Sequence, residues 1–194
     1  MLSLIIWLGI AYLMGNLPSA KIVCKLFNLP DPESHGSNNP GTTNVLRLGG
    51  KLPAFLTLCG DFLKGFLPVF MARSAGFGLF AVGLVALAAC LGHIFPLFNK
   101  FKGGKGVATA GGVFFGISAW IGLLIGSCWI IVAVIYRYSS LAALVAAAFA
   151  PVAMLLFGAP GAFLPILAIS AILIFKHQDN IRRLRSGTEG KIKI

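Results

Sequence analysis

Residues 107–136 read VATAGGVFFGISAWIGLLIGSCWIIVAVIY, about thirty residues without a charged side chain. A transmembrane helix takes roughly 20 apolar residues, so this run is too long for one upright crossing and short for two. A break near Ser118 to Gly122 would give two short or tilted helices. Similar runs lie on either side. Leu2 to about Cys24, Pro53 to Ala72 and Phe77 to Phe98 can each cross a membrane. Leu141 to Phe175 is interrupted at Gly158-Ala159-Pro160-Gly161 and reads as two spans. The expectation is an all-α polytopic membrane protein of seven transmembrane helices, with five as the alternative, forming a single domain over residues 1–194.

Composition agrees. Hydrophobic residues make up 58% of the chain and charged residues 11%, against about a half and a quarter in soluble domains. The formal net charge of +11 would suggest nucleic acid in a soluble protein. Here the bases sit between and after apolar runs, which excludes nucleic acid and reads as positive-inside bias. With seven spans, the segments after spans one, three, five and seven share one side. They hold Lys25, Arg47, Lys51, Lys100, Lys102, Lys105, Arg137, Lys176, Arg182, Arg183, Arg185, Lys191 and Lys193. The opposite loops clearly hold only Arg73. The C-terminus is therefore expected on the cytoplasmic side of the membrane and the N-terminus outside. Met1 to Cys24 has no basic n-region or small-x-small cleavage pattern and reads as a retained span. Cys24, Cys59, Cys90 and Cys128 lie in apolar runs without CxxC spacing, and the acids are few and scattered; no disulfide, metal or cofactor is expected. Gly112 with Gly116, and Gly122 with Gly126, read as helix-packing pairs.

Three polar segments fall on the basic side, at about 35–47, 92–109 and 177–192. In the first, Asn39-Pro40 reads as N-cap and N1 of a short helix ending near Gly49-Gly50. Thr43, Asn44 and Arg47 would share one face, and hydroxyls, amides and a guanidinium suit a phosphate. In the second, Lys102-Gly103-Gly104-Lys105-Gly106 stands directly before a helix, where backbone N–H groups and helix potential favour an anion. Gly106 follows Lys105 where a Walker A loop needs Ser or Thr, so that motif is absent. The third continues the last span into water. His177, Asn180, Ile181 and Leu184 share a face that points back toward the protein, while Arg182, Arg183 and Arg185 read as lipid anchors. Asp61 and Lys64, three apart inside the second span, read either as a mutual ion pair or as a pair lining a substrate cavity.

Taken together, Gly36-Ser37-x-Asn39-Pro40-Gly41-Thr42-Thr43-Asn44-Val45-x-Arg47, Gly92-His93-x-Phe95-Pro96 with Phe101-Lys102-Gly103-Gly104-Lys105-Gly106-Val107-Ala108-Thr109, and His177-x-x-Asn180-Ile181-x-Arg183-Leu184 with Gly187-Thr188-Glu189 resemble the three motifs of the acyl-phosphate:glycerol-3-phosphate acyltransferases. The resemblance covers nearly the whole chain. It implies a seven-span bundle with its site at the cytoplasmic side. It also implies transfer of a fatty acyl group from acyl phosphate to the 1-hydroxyl of glycerol 3-phosphate, giving lysophosphatidic acid and phosphate, the first step of bacterial phospholipid synthesis.

The residue types suit that chemistry. An acyl phosphate is already activated, so a site needs two anion pockets, close positioning and stabilisation of developing charge. Gly103, Gly104, Lys105 and Gly106, with Lys102, His93, Thr109 and Asn39, are expected to bind substrate phosphate. Ser37, Thr43, Asn44 and Arg47 are expected to hold the other phosphate. Ser37, Arg47, His177 and Asn180 are the candidates for direct catalysis, and Glu189 reads as structural. Either a histidine or the donor's own phosphate can take the hydroxyl proton. A His-x4-Asp acyltransferase is excluded, because Pro40, Phe98 and Arg182 stand five residues after His35, His93 and His177. The rival class is a transporter of a phosphate-containing anion; sites at midplane on broken helices in repeated halves would mark it, and no convincing repeat is present.

Overall fold

The computed structural model describes residues 2–192, which hold ten α-helices and no strand; Met1 and Lys193 lie outside them. The helices are α1 (Leu2–Gly15), α2 (Ser19–Leu26), α3 (Thr42–Gly49), α4 (Lys51–Ser74), α5 (Leu79–Ile94), α6 (Val107–Ile117), α7 (Ala119–Tyr136), α8 (Ser139–Leu156), α9 (Phe163–Lys176) and α10 (Gln178–Arg185). Five stretches are long and apolar enough to cross a membrane: Leu2–Leu26, Lys51–Ser74, Leu79–Asn99, Ala119–Tyr136 and Ser139–Leu156. The helices α9 and α10, bent by 56° at His177, pass the same test only when taken together as one broken span. Ile130, Ile131, Val134 and Ile135 of α7 point outward. An apolar face of that extent needs lipid as its solvent. The protein is an integral membrane protein.

The expected break falls at Ser118, whose extended backbone separates α6 from α7. The two helices are unequal. α6 has 11 residues, about 16 Å at 1.5 Å per residue, against a hydrocarbon core of about 30 Å. It is an interior helix clamped by its neighbours. A Cβ on Gly65 of α4 would overlap the Thr109 carbonyl, and one on Gly112 would overlap the Phe62 carbonyl. Gly116 faces the Val69 side chain and the Phe66 carbonyl of α4, less tightly. The expected Gly112–Gly116 pair is thus the α4–α6 seam. Gly122 packs on Phe115, while Gly126 is only loosely apposed to it. Gly15 of α1 and Gly92 of α5 meet in the same way, each against the other helix's carbonyls.

Two local expectations are corrected. The first span is not one helix. It breaks at Asn16-Leu17-Pro18, because Pro18 has no N–H to continue the ladder and Asn16 turns its amide to the Tyr12 carbonyl and the Leu97 N–H. The short helix of the first motif starts at Thr42 behind Gly41, and not at Asn39-Pro40. Asn44 holds the Pro32 and His35 carbonyls and the Ser37 N–H with its side chain. That draws the preceding residues out of helical geometry.

If the α4–α6 seam sets the packing, Gly112→Leu should lower the melting temperature in detergent by about 5–10 °C, since overpacking costs about 1–3 kcal/mol. Gly9→Ala, where a Cβ meets nothing within 4 Å, should melt at or slightly above the wild-type temperature.

Candidate active site

All three polar segments converge at one end of the bundle. The segment after α10 folds back, with the Ile192 N–H donating to the Arg137 carbonyl at 2.7 Å. This brings Glu189 between α8 and α10. Its carboxylate accepts from Ser140 Oγ at 2.6 Å, Asn180 Nδ2 at 2.7 Å and Arg183 Nε at 2.6 Å. Asn180 in turn accepts from Lys105 Nζ of the glycine loop. Beside them Gly190 lies close to the Arg47 guanidinium of α3. Thr43 Oγ1 and Ser139 Oγ, 3.1 Å apart, bind α3 to the start of α8.

The electrostatics follow. Burial alone would raise the Glu189 carboxyl, but the hydrogen bonds from Ser140, Asn180 and Arg183 outweigh it and hold the group below its usual value. Burial first, and then the charge of Arg183, push the Lys105 ammonium below its usual value. His177, 4% exposed, sits at the α9–α10 bend, and burial pushes its imidazole below its usual value. Its Nδ1 lies 2.7 Å from the Leu173 carbonyl. A carbonyl only accepts, so Nδ1 carries the proton and Nε2 keeps a lone pair.

On the other side of the glycine loop, His93 packs its ring nitrogen Nε2 against Gly104 and its carbonyl against Gly103; a Cβ on either glycine would overlap it. Gly106 takes a positive φ of 85° as it leads into α6. His93 Nδ1 lies 3.0 Å from Thr109 Oγ1. Beneath them Lys64 Nζ and Asp61 Oδ1 are 2.7 Å apart and almost wholly buried. Both line a small cavity with Pro40, His93, Lys102 and Gly104, so the ion pair and the cavity lining are one arrangement.

The sequence residues therefore divide. Lys105, Asn180, Glu189, His177, Arg47 and Thr43 belong to one cluster, and His93, Thr109, Asp61, Lys64, Lys102, Gly103 and Gly104 to an adjoining one. Asn44 is 2% exposed and its amide is spent on the 32–37 loop, so it shapes the first segment from within. Ser37 and Arg47 are exposed, and Asn39 is half-buried. Arg183, read from sequence as a lipid anchor, is instead a Glu189 partner; Arg182 is exposed and faces Asp179. Sequence reading missed Ser139 and Ser140, because a serine pair opening a helix looks like capping. It also missed the clasp in which Lys21 reaches Glu33 at 2.8 Å and Asn99 at 2.7 Å.

Comparison with known proteins places this architecture. The family model described as glycerol-3-phosphate acyltransferase matches residues 5–187. The glycerol-3-phosphate acyltransferase of Coxiella burnetii (strain RSA 493 / Nine Mile phase I) is 48% identical over 193 residues, covering 100% of both chains. That of Dechloromonas aromatica (strain RCB) is 52% identical over 183 residues, covering 94% of this chain and 92% of the relative. The crystal structure of PlsY (YgiH), an integral membrane glycerol 3-phosphate acyltransferase, superposes in its glycerol 3-phosphate form with a TM-score of 0.93 at 36% identity, over 98% of this chain and 96% of that one. Its lysophosphatidic acid form gives 0.90 over the same shares of the two chains. Motifs, fold and relatives agree that this chain belongs to the glycerol-3-phosphate acyltransferase family.

Proposed function

We propose that this enzyme transfers a fatty acyl group from acyl phosphate to the 1-hydroxyl of glycerol 3-phosphate, releasing lysophosphatidic acid and inorganic phosphate. The observation that carries this reading is the chain from Lys105 through Asn180 to Glu189, with Arg47 approaching the same segment at Gly190, at the end of a lipid-facing bundle. Phosphates can be held there while an acyl chain stays in lipid. The similar PlsY structures are a glycerol 3-phosphate form and a lysophosphatidic acid form, an acceptor and its acylated product.

The acceptor oxygen attacks the acyl carbonyl carbon, and the bond from that carbon to the phosphate oxygen breaks. The hydroxyl proton goes to the departing phosphate, whose oxygens gain negative charge and basicity as the bond to the acyl carbon breaks. His177, neutral and with Nε2 free to accept, orients the hydroxyl. Arg47, Lys105 and the loop of Gly103, Gly104 and Gly106 hold the two phosphates, with Lys102 and Asn39 at the rim. Ser37 and Asn180 donate to the oxygens on which charge develops. Thr43, Asn44 and Glu189 hold the segments in place.

Seven crossings, made by α1–α2 and by α4 to α9, put the C-terminus in the cytoplasm. Support comes from the bases around the site, since basic loops mark the cytoplasmic face. The setting is then a bacterial inner membrane, with the single domain opening its site inward. Because α6 is short, the glycine loop lies below the cytoplasmic surface, within reach of a donor dissolved in lipid.

Detergent-purified protein given palmitoyl phosphate should release phosphate only when glycerol 3-phosphate is present, with matching lysophosphatidic acid. Absence of acceptor-dependent release under active lipid conditions would sink the reading and turn attention to anion uptake in sealed vesicles. Arg47→Ala should lower kcat/KM about 10–100-fold, the worth of a hydrogen bond to a charged group; unchanged kinetics would remove Arg47 from the site.

Glu189 has its carboxyl depressed in the fold. Its stabilising contribution is complete above the ordinary 4.5 and is lost as pH falls through the lower folded value. The Ile192 amide should accordingly lose hydrogen-exchange protection as pH drops below 4.5, and in Glu189→Gln it should do so at neutral pH.

A further inference from the structure

A buried ion pair inside a membrane helix is weak evidence for stability, because desolvation offsets most of the attraction. Asp61 and Lys64 are 2% and 4% exposed, so their presence asks for another account. They are not an isolated couple. Lys64 Nζ also donates to the Leu17 carbonyl at 2.8 Å, where α1 breaks. Asp61 Oδ1 lies 3.6 Å from His93 Nδ1, the nitrogen that Thr109 Oγ1 approaches to 3.0 Å. One edge of the imidazole is therefore held by the Thr109 hydroxyl at hydrogen-bond distance, with the buried Asp61 charge beside it at 3.6 Å, beyond a direct hydrogen bond. The opposite edge presses on Gly104, and the His93 carbonyl presses on Gly103.

We infer that Asp61 and Lys64 are positioning residues for acyl transfer, setting the shape of the glycine loop through His93. Neither touches a reacting atom. The carboxylate fixes the direction of the His93 ring, and the ammonium fixes the carboxylate against the broken end of α1. The ring then holds Gly103 and Gly104 with their N–H groups presented to an anion. Thr109, at the first turn of α6, makes the same ring orientation depend on the helix that follows the loop. This inference rests on reading the glycine loop as a phosphate site.

The two can be separated by experiment. Asp61→Asn alone would leave Lys64 buried without a counter-charge, so the informative protein is the Asp61→Asn/Lys64→Met double variant. Replacing both charges of a buried pair can leave stability intact. It should melt within a few degrees of wild type and keep kcat within about threefold. Its KM for one of the two phosphate-bearing substrates, palmitoyl phosphate or glycerol 3-phosphate, should rise roughly tenfold, the worth of one lost hydrogen bond of about 1.4 kcal/mol. Thr109→Val should move the same KM, and Thr109→Ser should restore it. A folded double variant with both KM values unchanged overturns the inference; if that protein does not fold, unchanged KM values in Thr109→Val do so. Lys105→Met is the reference. If it too leaves both KM values unaltered, the phosphate-loop reading itself has failed. If it raises one while the network variants do not, only the positioning role is lost.

Discussion

Lys105 and Arg183 stand close enough at the edge of an apolar bundle for the charge of one to weigh on the other, and Arg47 approaches the tail beside them at Gly190. The Glu189 carboxylate, 8% exposed, accepts from Ser140, Asn180 and Arg183 together. It thereby joins the tail of the chain to the start of α8 and to α10. Through Asn180 it reaches Lys105 and the glycine loop. One acid thus counters the local positive charge and ties remote parts of the sequence to one point. Remove the carboxylate and the bases have reason to separate, taking their helices' ends with them.

The second requirement is that backbone and polar groups at membrane depth find partners inside the protein. The break between α1 and α2 meets it locally. Lys64 takes up the Leu17 carbonyl that a continuous helix would have satisfied itself, and Asn16 adds its side-chain amide beside the break. The same side chains lie on the wall of the cleft beside His93. Repairing a broken span and building a polar floor are here a single arrangement.

Much of this was readable beforehand, for physical reasons that differ by element. Long uncharged runs have no alternative to lipid, so the crossing helices and the interruptions at Ser118 and Gly158–Gly161 declare themselves. The glycine loop is similarly plain, since Gly103 and Gly104 sit where no Cβ fits. The break at Pro18 was not legible because proline is ambiguous in apolar helices: Pro68 and Pro151 lie inside α4 and α8 without ending them. What decides Pro18 is Asn16 bonding to Leu97, 81 residues away. The late start of α3 has a similar origin in the long-range bonds of Asn44. Arg183 was misread because its partner, Glu189, comes within reach only when the tail folds back. In each miss a tertiary contact overrode a local signal.

The seam between α4 and α6 has a thermodynamic consequence. With Gly65 and Gly112 bringing two backbones into contact, the first turns of α6 have little freedom left to lose. The glycine loop hangs from that turn at one end and from His93 at the other. Much of the entropy of ordering it is then surrendered once, during folding, and not again at each binding event. A socket prepared in this way converts more of its hydrogen-bond energy into affinity than a loop of the same sequence that had to be ordered by its ligand.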